Sequence, residues 1–133
     1  MSAKSKYLSN ILAPVSLGEL IDKITILKIK KTNMTGTKLI NVDKELKSLE
    51  CILRDQNLEV DLNLVNELKD INNKLWEIED RIRLKESNQE FDKEFIELAR
   101  SIYKKNDIRA NIKKEINKHY NSELIEEKSY TSY

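Results

Sequence analysis

The residues of this chain whose types and spacing could do chemistry are charged and amide side chains set beside apolar positions at helical spacing. They fall into three groups: Glu19, Asp22 and Lys23; Glu79, Asp80 and Arg83; and Arg100, Asn106, Asp107 and Arg109. Inside a helical bundle such groups must pair, because an unpaired buried charge costs several kcal/mol. One expectation is therefore a polar network of Lys23, Glu79, Asp80, Asn106 and Asp107 that fixes helix register. A second is a pocket for an anionic or sugar-like small molecule, built on the guanidinium groups of Arg83, Arg100 and Arg109. With the last two groups on antiparallel helices, Glu79 or Asp80 should lie opposite Arg100, and Asn72 near Asn106.

Acidic pairs three residues apart share a helix face and can hold a divalent metal, as all-helical nucleotide pyrophosphohydrolases hold magnesium at a phosphate ester. Glu19/Asp22 and Glu77/Asp80 have that spacing, which makes a magnesium-dependent phosphate or nucleotide hydrolase the enzymatic alternative. The spacing is weakly diagnostic: 23 acids in 133 residues give roughly four such pairs by chance, and Glu67/Asp70, Glu94/Glu97 and Glu123/Glu126 also have it.

Other candidates carry less. His119, the only histidine, sits at an expected helix end, where the dipole accounts for it. Lys105, Arg109 and Lys113 form a four-spaced basic stripe without interleaved aromatics, so nucleic-acid binding is not expected. Trp76 and Tyr103 read as packing anchors, and the single Cys51 as a core or half-buried thiol in a reducing compartment. No Gly-rich phosphate loop, nucleophile elbow, zinc spacing or calcium loop is present.

The elements that must position these groups are helices. The apolar fraction is 39% and the charged fraction 35%, with two glycines and one proline. Helices tolerate that balance because roughly four positions in seven face water, whereas a sandwich or barrel would need more turn residues. Lys plus Arg (24) nearly cancels Asp plus Glu (23), so no bulk field recruits nucleic acid or anionic lipid. The absence of a long apolar run, and a start too polar for a signal-peptide core, make the cytoplasm the expected location and a membrane partner unexpected.

Ser16 and Glu19 form a capping-box pattern flanked by Val15 and Leu20 as a staple, so helix 1 should begin at Ser16. Its leucines and isoleucines, from Leu17 to Ile29, cover more than one stripe and predict neighbours on two sides. Thr35-Gly36-Thr37 supplies the break before helix 2, expected from about Lys38 to Gln56 with the stripe Leu39, Val42, Leu46, Leu49, Leu53. Helix 3, from about Asp61 to Lys85, carries the heptad seam Leu64, Leu68, Ile71, Leu75, Ile78, Ile82. Helix 4 begins after the N-cap Asp92, with Phe91 and Ile96 as a second staple, and runs to about His119. Its seam is apolar at Phe91, Phe95, Leu98, Ile102, Ile112 and Ile116, but charged in the middle at Lys105 and Arg109. Beyond Asn121 one further helical turn and a returning strap are expected.

Several segments resemble an uncharacterised family of small bacterial helical proteins, known as a domain of unknown function. They are Ser16 to Leu27 (SLGELIDKITIL), Leu75 to Arg83 (LWEIEDRIR), Phe95 to Tyr103 (FIELARSIY) and Glu126 to Tyr130 (EEKSY). The resemblance spans nearly everything from Val15 onward; this chain departs from it in its first residues and in Thr131-Ser132-Tyr133. It implies an all-helical protein and no particular activity. It also implies an association with sugar-transfer enzymes of surface-polysaccharide synthesis, which would suit an accessory or adaptor protein.

These readings predict an all-α fold, a four-helix antiparallel bundle-like arrangement in which helices 3 and 4 form a long hairpin and helices 1 and 2 lie against it. Residues 1–14 would be a flexible or extended arm, 15–121 the bundle domain and 122–133 a tail. The expected function is a non-catalytic interaction or accessory module, a homodimer or bound to another protein, without a cofactor. Small anionic-ligand binding and the magnesium-dependent hydrolase remain the alternatives.

Overall fold

The computed structural model describes residues 10–133, so most of the expected N-terminal arm lies outside the described residues. Its regular structure is four helices without a strand among the described residues: α1 (Leu17–Asn33), α2 (Gly36–Asp55), α3 (Leu62–Ser87) and α4 (Lys93–His119). The all-α expectation holds.

Three of the starts are capped by side chains. Ser16 accepts from the Glu19 backbone N–H at 3.1 Å, Asp61 from that of Asn63 at 2.9 Å, and Asp92 from that of Phe95 at 3.0 Å. Each satisfies one of the donors that a helix start leaves unpaired. Only half of the expected capping box forms, because the Glu19 carboxylate is drawn to Lys113 across the bundle. The staples fare similarly: Val15 stays half exposed, Ile96 is exposed, and Phe91 instead packs edge-on against Phe95, with ring centroids 5.2 Å apart.

A chain with two glycines makes its reversals with amide side chains. Asn57, Gln89 and Asn121 follow the ends of α2, α3 and α4 with φ of 53°, 54° and 52°. After α4 the Ser122 N–H returns to the Asn117 carbonyl and the Asn121 N–H to that of Lys118; after α3 Glu90 returns to Lys85 and Gln89 to Glu86. Both are Schellman closures, in which a left-handed residue lets the chain satisfy the last carbonyls. Between α1 and α2 only Met34 and Thr35 are non-helical, and Gly36, at φ 64°, is taken into α2 two residues before the expected start.

α1 is the centre of the molecule. One face packs on α2 through Leu20, Ile24, Leu27, Val42 and Leu46; the other packs into the hairpin through Ile21, Leu68, Ile71, Ile112 and Ile116. Two-sided packing of α1 was legible in its apolar spread. The expected placement of helix 2 against the hairpin is corrected: α2 approaches α1 but neither helix of the hairpin, and only Leu53, near its end, joins the second cluster. Its single narrow stripe is used up by α1. Cys51 lies off that stripe and is exposed, not half-buried. The hairpin register is set near its turn, where Arg81 meets Glu94 at 2.5 Å and Lys85 meets Glu90, Asp92 and Glu94 at 3.1, 2.8 and 3.3 Å. Glu79 does not face Arg100; it pairs with Arg83 one turn along its own helix.

α1 and α4 come close together at Gly18. A Cβ there would stand 2.6 Å from the Lys113 carbonyl oxygen of α4, while a Cβ on Gly36 would meet nothing. In an ordinary helix Gly→Ala gains about 1 kcal/mol, but Gly18→Ala must push α1 off α4 and is expected to lose about 1–3 kcal/mol. Gly36→Ala is expected to lose about 1 kcal/mol through its left-handed φ alone, with Gly36→Asn recovering most of it. Urea unfolding of the three variants checks this.

Candidate functional site

The polar centre is built on Asp22, which has no exposed surface. It is one residue past the apolar Ile21 on α1 and faces the hairpin where the α4 seam turns from isoleucine to arginine. The Arg109 guanidinium grips the carboxylate with two N–H groups, Nε to Oδ1 at 3.0 Å and Nη2 to Oδ2. This planar bidentate pairing is the strong form of a carboxylate contact. Asn72 of α3 donates its amide to Oδ1 at 2.8 Å and to the Thr25 hydroxyl at 2.9 Å, and that hydroxyl in turn donates to the Asp22 carbonyl at 2.8 Å.

The pairing continues along α4. Lys113 lies 3.6 Å from Asp22 Oδ2 and reaches Glu19 at 2.6 Å and Glu126 at 3.1 Å; Lys128 meets Glu126 at 3.2 Å. Burial pushes the Lys113 ammonium down, but hydrogen bonds to Glu19 and Glu126 and the charge of Asp22 outweigh it, so its pKa ends above the ordinary lysine value. Arg109 is likewise held charged, first by its hydrogen bonds to Asp22. Among the described residues no buried side-chain nitrogen or oxygen lacks a partner.

Glu126 belongs to the C-terminal segment, which forms no extra helical turn but returns along α4 as a strap. The Ser122 hydroxyl accepts from the Leu17 N–H at 3.2 Å, Glu127 pairs with Lys114 at 2.9 Å, and the Tyr133 hydroxyl donates to Asp107 at 2.6 Å beside the Tyr103 ring. At the strap's origin Asn117, buried, accepts from the Gly18 N–H at 2.7 Å.

Of the residues expected in the polar network, Asn106 joins it, accepting from Arg109 at 3.5 Å. Lys23 and Asp80 are exposed, Glu79 is bound to Arg83, and Asp107 serves the strap. The three expected arginines do not converge: Arg109 is engaged by Asp22, the Arg83 side chain is 78% exposed, and Arg100 is exposed outside the cleft that Arg83 and Arg109 both line. Nor do Glu19, Asp22, Glu77 and Asp80 gather. Among the described residues no three metal-ligating side chains cluster, Asp22 and Glu19 are taken by Arg109 and Lys113, and Glu77 lines the opposite flank of the hairpin. Sequence reasoning missed Thr25, Asn117, Ser122 and Glu126 as members. The charged interruption of the α4 seam at Arg109, with Glu19 and Asp22 beside apolar positions of helix 1, signalled where the network would be.

The sequence profile of a family of unknown function, DUF6165, matches residues 12–133. The chain belongs to DUF6165. No curated protein and no solved structure matches it. The DUF6165 match reaches the last residue and so includes the strap, with Glu126 and the Tyr133 contact, as well as the bundle.

Two outcomes follow for this DUF6165 chain. Asp22→Ala leaves Arg109 and the buried Lys113 without their shared anion, and is expected to cost about 3–5 kcal/mol in urea unfolding; Asp22→Leu combined with Arg109→Met is expected to recover most of that loss. The Glu126 carboxyl is held below its ordinary 4.5, chiefly by the Lys113 hydrogen bond. A depressed carboxyl contributes stability above its unfolded value and loses it as pH falls through the folded one. The strap is therefore expected to release below about pH 4.5 while the bundle persists. On the alkaline side the raised Lys113 keeps its contribution until pH climbs past the ordinary lysine value of 10.5. The tyrosine ring resonances of Tyr133 and Tyr103, followed by NMR from neutral pH downward, report the release.

Proposed function

We propose that the protein is a non-catalytic helical interaction module that pairs with a second copy of itself through the tip of its hairpin. The observation that carries this reading is the set of large apolar side chains left in water there: Leu84 is 61% exposed, Phe91 58% and Ile96 55%. α1 begins level with Asn117 and is 17 residues long, against 26 and 27 for α3 and α4. The hairpin therefore outreaches it, and its end has only its own seam to bury. α1 has no apolar face to spare, being covered on both sides.

An isologous contact suits such a tip, since a twofold axis brings each apolar face against its own copy, and a net charge of +1 sets no barrier between copies. The chemistry of the interior supports a non-catalytic role: among the described residues its charged groups, Asp22, Glu19 and Glu126 against Arg109 and Lys113, neutralise one another. No helix among the described residues is long and apolar enough to cross a membrane. An accessory role in surface-polysaccharide synthesis, in the cytoplasm where the unpaired Cys51 thiol is at home, is the setting in which we place the module.

Sedimentation velocity at micromolar concentration is expected to give a dimer for the wild type. Leu84→Glu with Ile96→Glu is expected to give a monomer that keeps its helical circular dichroism and whose melting temperature no longer depends on concentration, because neither side chain is buried in the protomer. A monomeric wild type would remove the proposal.

A further inference from the structure

Where α1 leaves the hairpin, an open cleft of about 460 Å³ remains between α1, α3 and α4, within the range of small-molecule sites. Ile26, Leu75 and Trp76 give it an apolar wall, and Asn72, Asn106 and Arg109 bring polar atoms from the network to its floor.

The network decides what each of those atoms can offer. Asp22 can only accept, and the Thr25 proton is already given to a carbonyl, so both amide protons of Asn72 are committed inward. The Asn72 carbonyl oxygen meets no donor among the described residues. Since no buried side-chain oxygen there lacks a partner, this atom of a residue only 5% exposed is open to the cleft it lines. It is an unpartnered acceptor. Arg109 has five N–H groups; two hold Asp22 and one reaches Asn106 Oδ1, which leaves two. Because Asn106 accepts through its oxygen, its amide N–H₂ is free to donate, and the Trp76 indole N–H has no acceptor among the described residues.

The floor thus offers one fixed acceptor among several fixed donors, beside an aromatic wall and with almost no net charge. Arg109, Lys113 and Lys128 are balanced by Asp22, Glu19 and Glu126, and at the rim Arg83 is balanced by Glu79. Asp80, exposed and without an ion-pair partner among the described residues, tips the rim slightly negative. That balance disfavours an anion, the ligand that the arginines alone suggested. A hydroxyl both donates and accepts, and a saturated sugar ring presents an apolar C–H face to an aromatic wall. We infer that this cleft binds an uncharged, polyhydroxylated ring, a pyranoside, with its hydroxyls on Asn72, Asn106 and Arg109 and its C–H face on Trp76.

Trp76 is the only tryptophan, so its fluorescence reads the cleft directly. Titration of the full chain with methyl glucoside, methyl galactoside and maltose is expected to give a saturable change with at least one of them, half complete on the order of 1 mM. Asn106→Leu is expected to weaken it at least about tenfold, because ligand hydroxyls would face an apolar group, at an unchanged melting temperature. Arg81→Ala, on the opposite flank of the hairpin, should leave it intact. NMR of the wild type gives a reading that needs no variant: the side-chain amides of Asn72 and Asn106 and the Trp76 indole N–H should shift together on titration. Saturation by sulfate or inorganic phosphate instead, an equal response to glycerol, an undiminished response in a folded Asn106→Leu, or no saturation up to about 100 mM sugar would each overturn the inference. Since the cleft and the hairpin tip share no residue, the sugar titration and the sedimentation result stand or fall separately.

Discussion

A carboxylate without exposed surface has to be neutralised where it lies, and in this protein most of the architecture answers to that demand at Asp22. Its partners come from both helices of the hairpin, Asn72 from α3 and Arg109 and Lys113 from α4, while Thr25 of its own helix holds Asn72 in place. The apolar contacts around it would tolerate sliding, because leucines and isoleucines at three-and-four spacing repeat along each helix. A bidentate guanidinium does not tolerate it. A shift of α1 by one turn along the hairpin would pull Asp22 out of the two-pronged grip of Arg109. Desolvating the charges gives up much of what their attraction returns, so the cluster specifies the register of a bundle whose stability comes chiefly from Leu68, Ile116 and their neighbours.

The grip also needs the helices to stand close, and that requirement explains the residues about a turn below it. Gly18 removes the side chain that would hold α1 away from the Lys113 carbonyl, and its N–H, one of those a helix start leaves unpaired, finds Asn117. The next unpaired donor, on Leu17, is met by Ser122, where the strap begins. A single contact between a helix start and a helix end thus sets the interhelical distance, satisfies two backbone donors and launches the segment whose Glu126 completes the charge balance at Lys113. Tyr120 works in the same region, its hydroxyl donating to the Glu59 carbonyl and accepting from the Asp61 N–H to tie down the connection between α2 and α3.

Much of the fold was legible because its rules are local. The helix seams, the caps at Ser16 and Asp92, and the two-sided burial of α1 follow from spacing and side-chain chemistry within a few residues. What escaped depends on relations between distant segments. Glu19 reads as half of a capping box until Lys113, 94 residues away, outbids the local N–H for its carboxylate. Position alone gives Arg83, Arg100 and Arg109 equal standing, yet only Arg109 sits on a seam; Arg83 and Arg100 point off it and stay in water. The reversals at Asn57, Gln89 and Asn121 carry no glycine to mark them, and the importance of Gly18 appears only with α4 beside it.

The same network that hides its charges also dictates what it shows. Hydrogen bonds have direction, and Asp22, which can only accept, orients every group that touches it. Asn72 must turn its amide protons inward and therefore its carbonyl outward; Arg109 must spend one edge of its guanidinium on the carboxylate and present the rest; Asn106, by accepting from Arg109, is left with donors. A surface that would otherwise be free to rotate its amides is held in one pattern of donors and acceptors by a buried group that touches no ligand. Pre-orientation of this kind lowers the entropy a binding site must give up, and it makes the polarity of the cleft a consequence of the fold's central constraint, so that whatever alters Asp22 alters the chemistry of the cleft even where the helices stay in place.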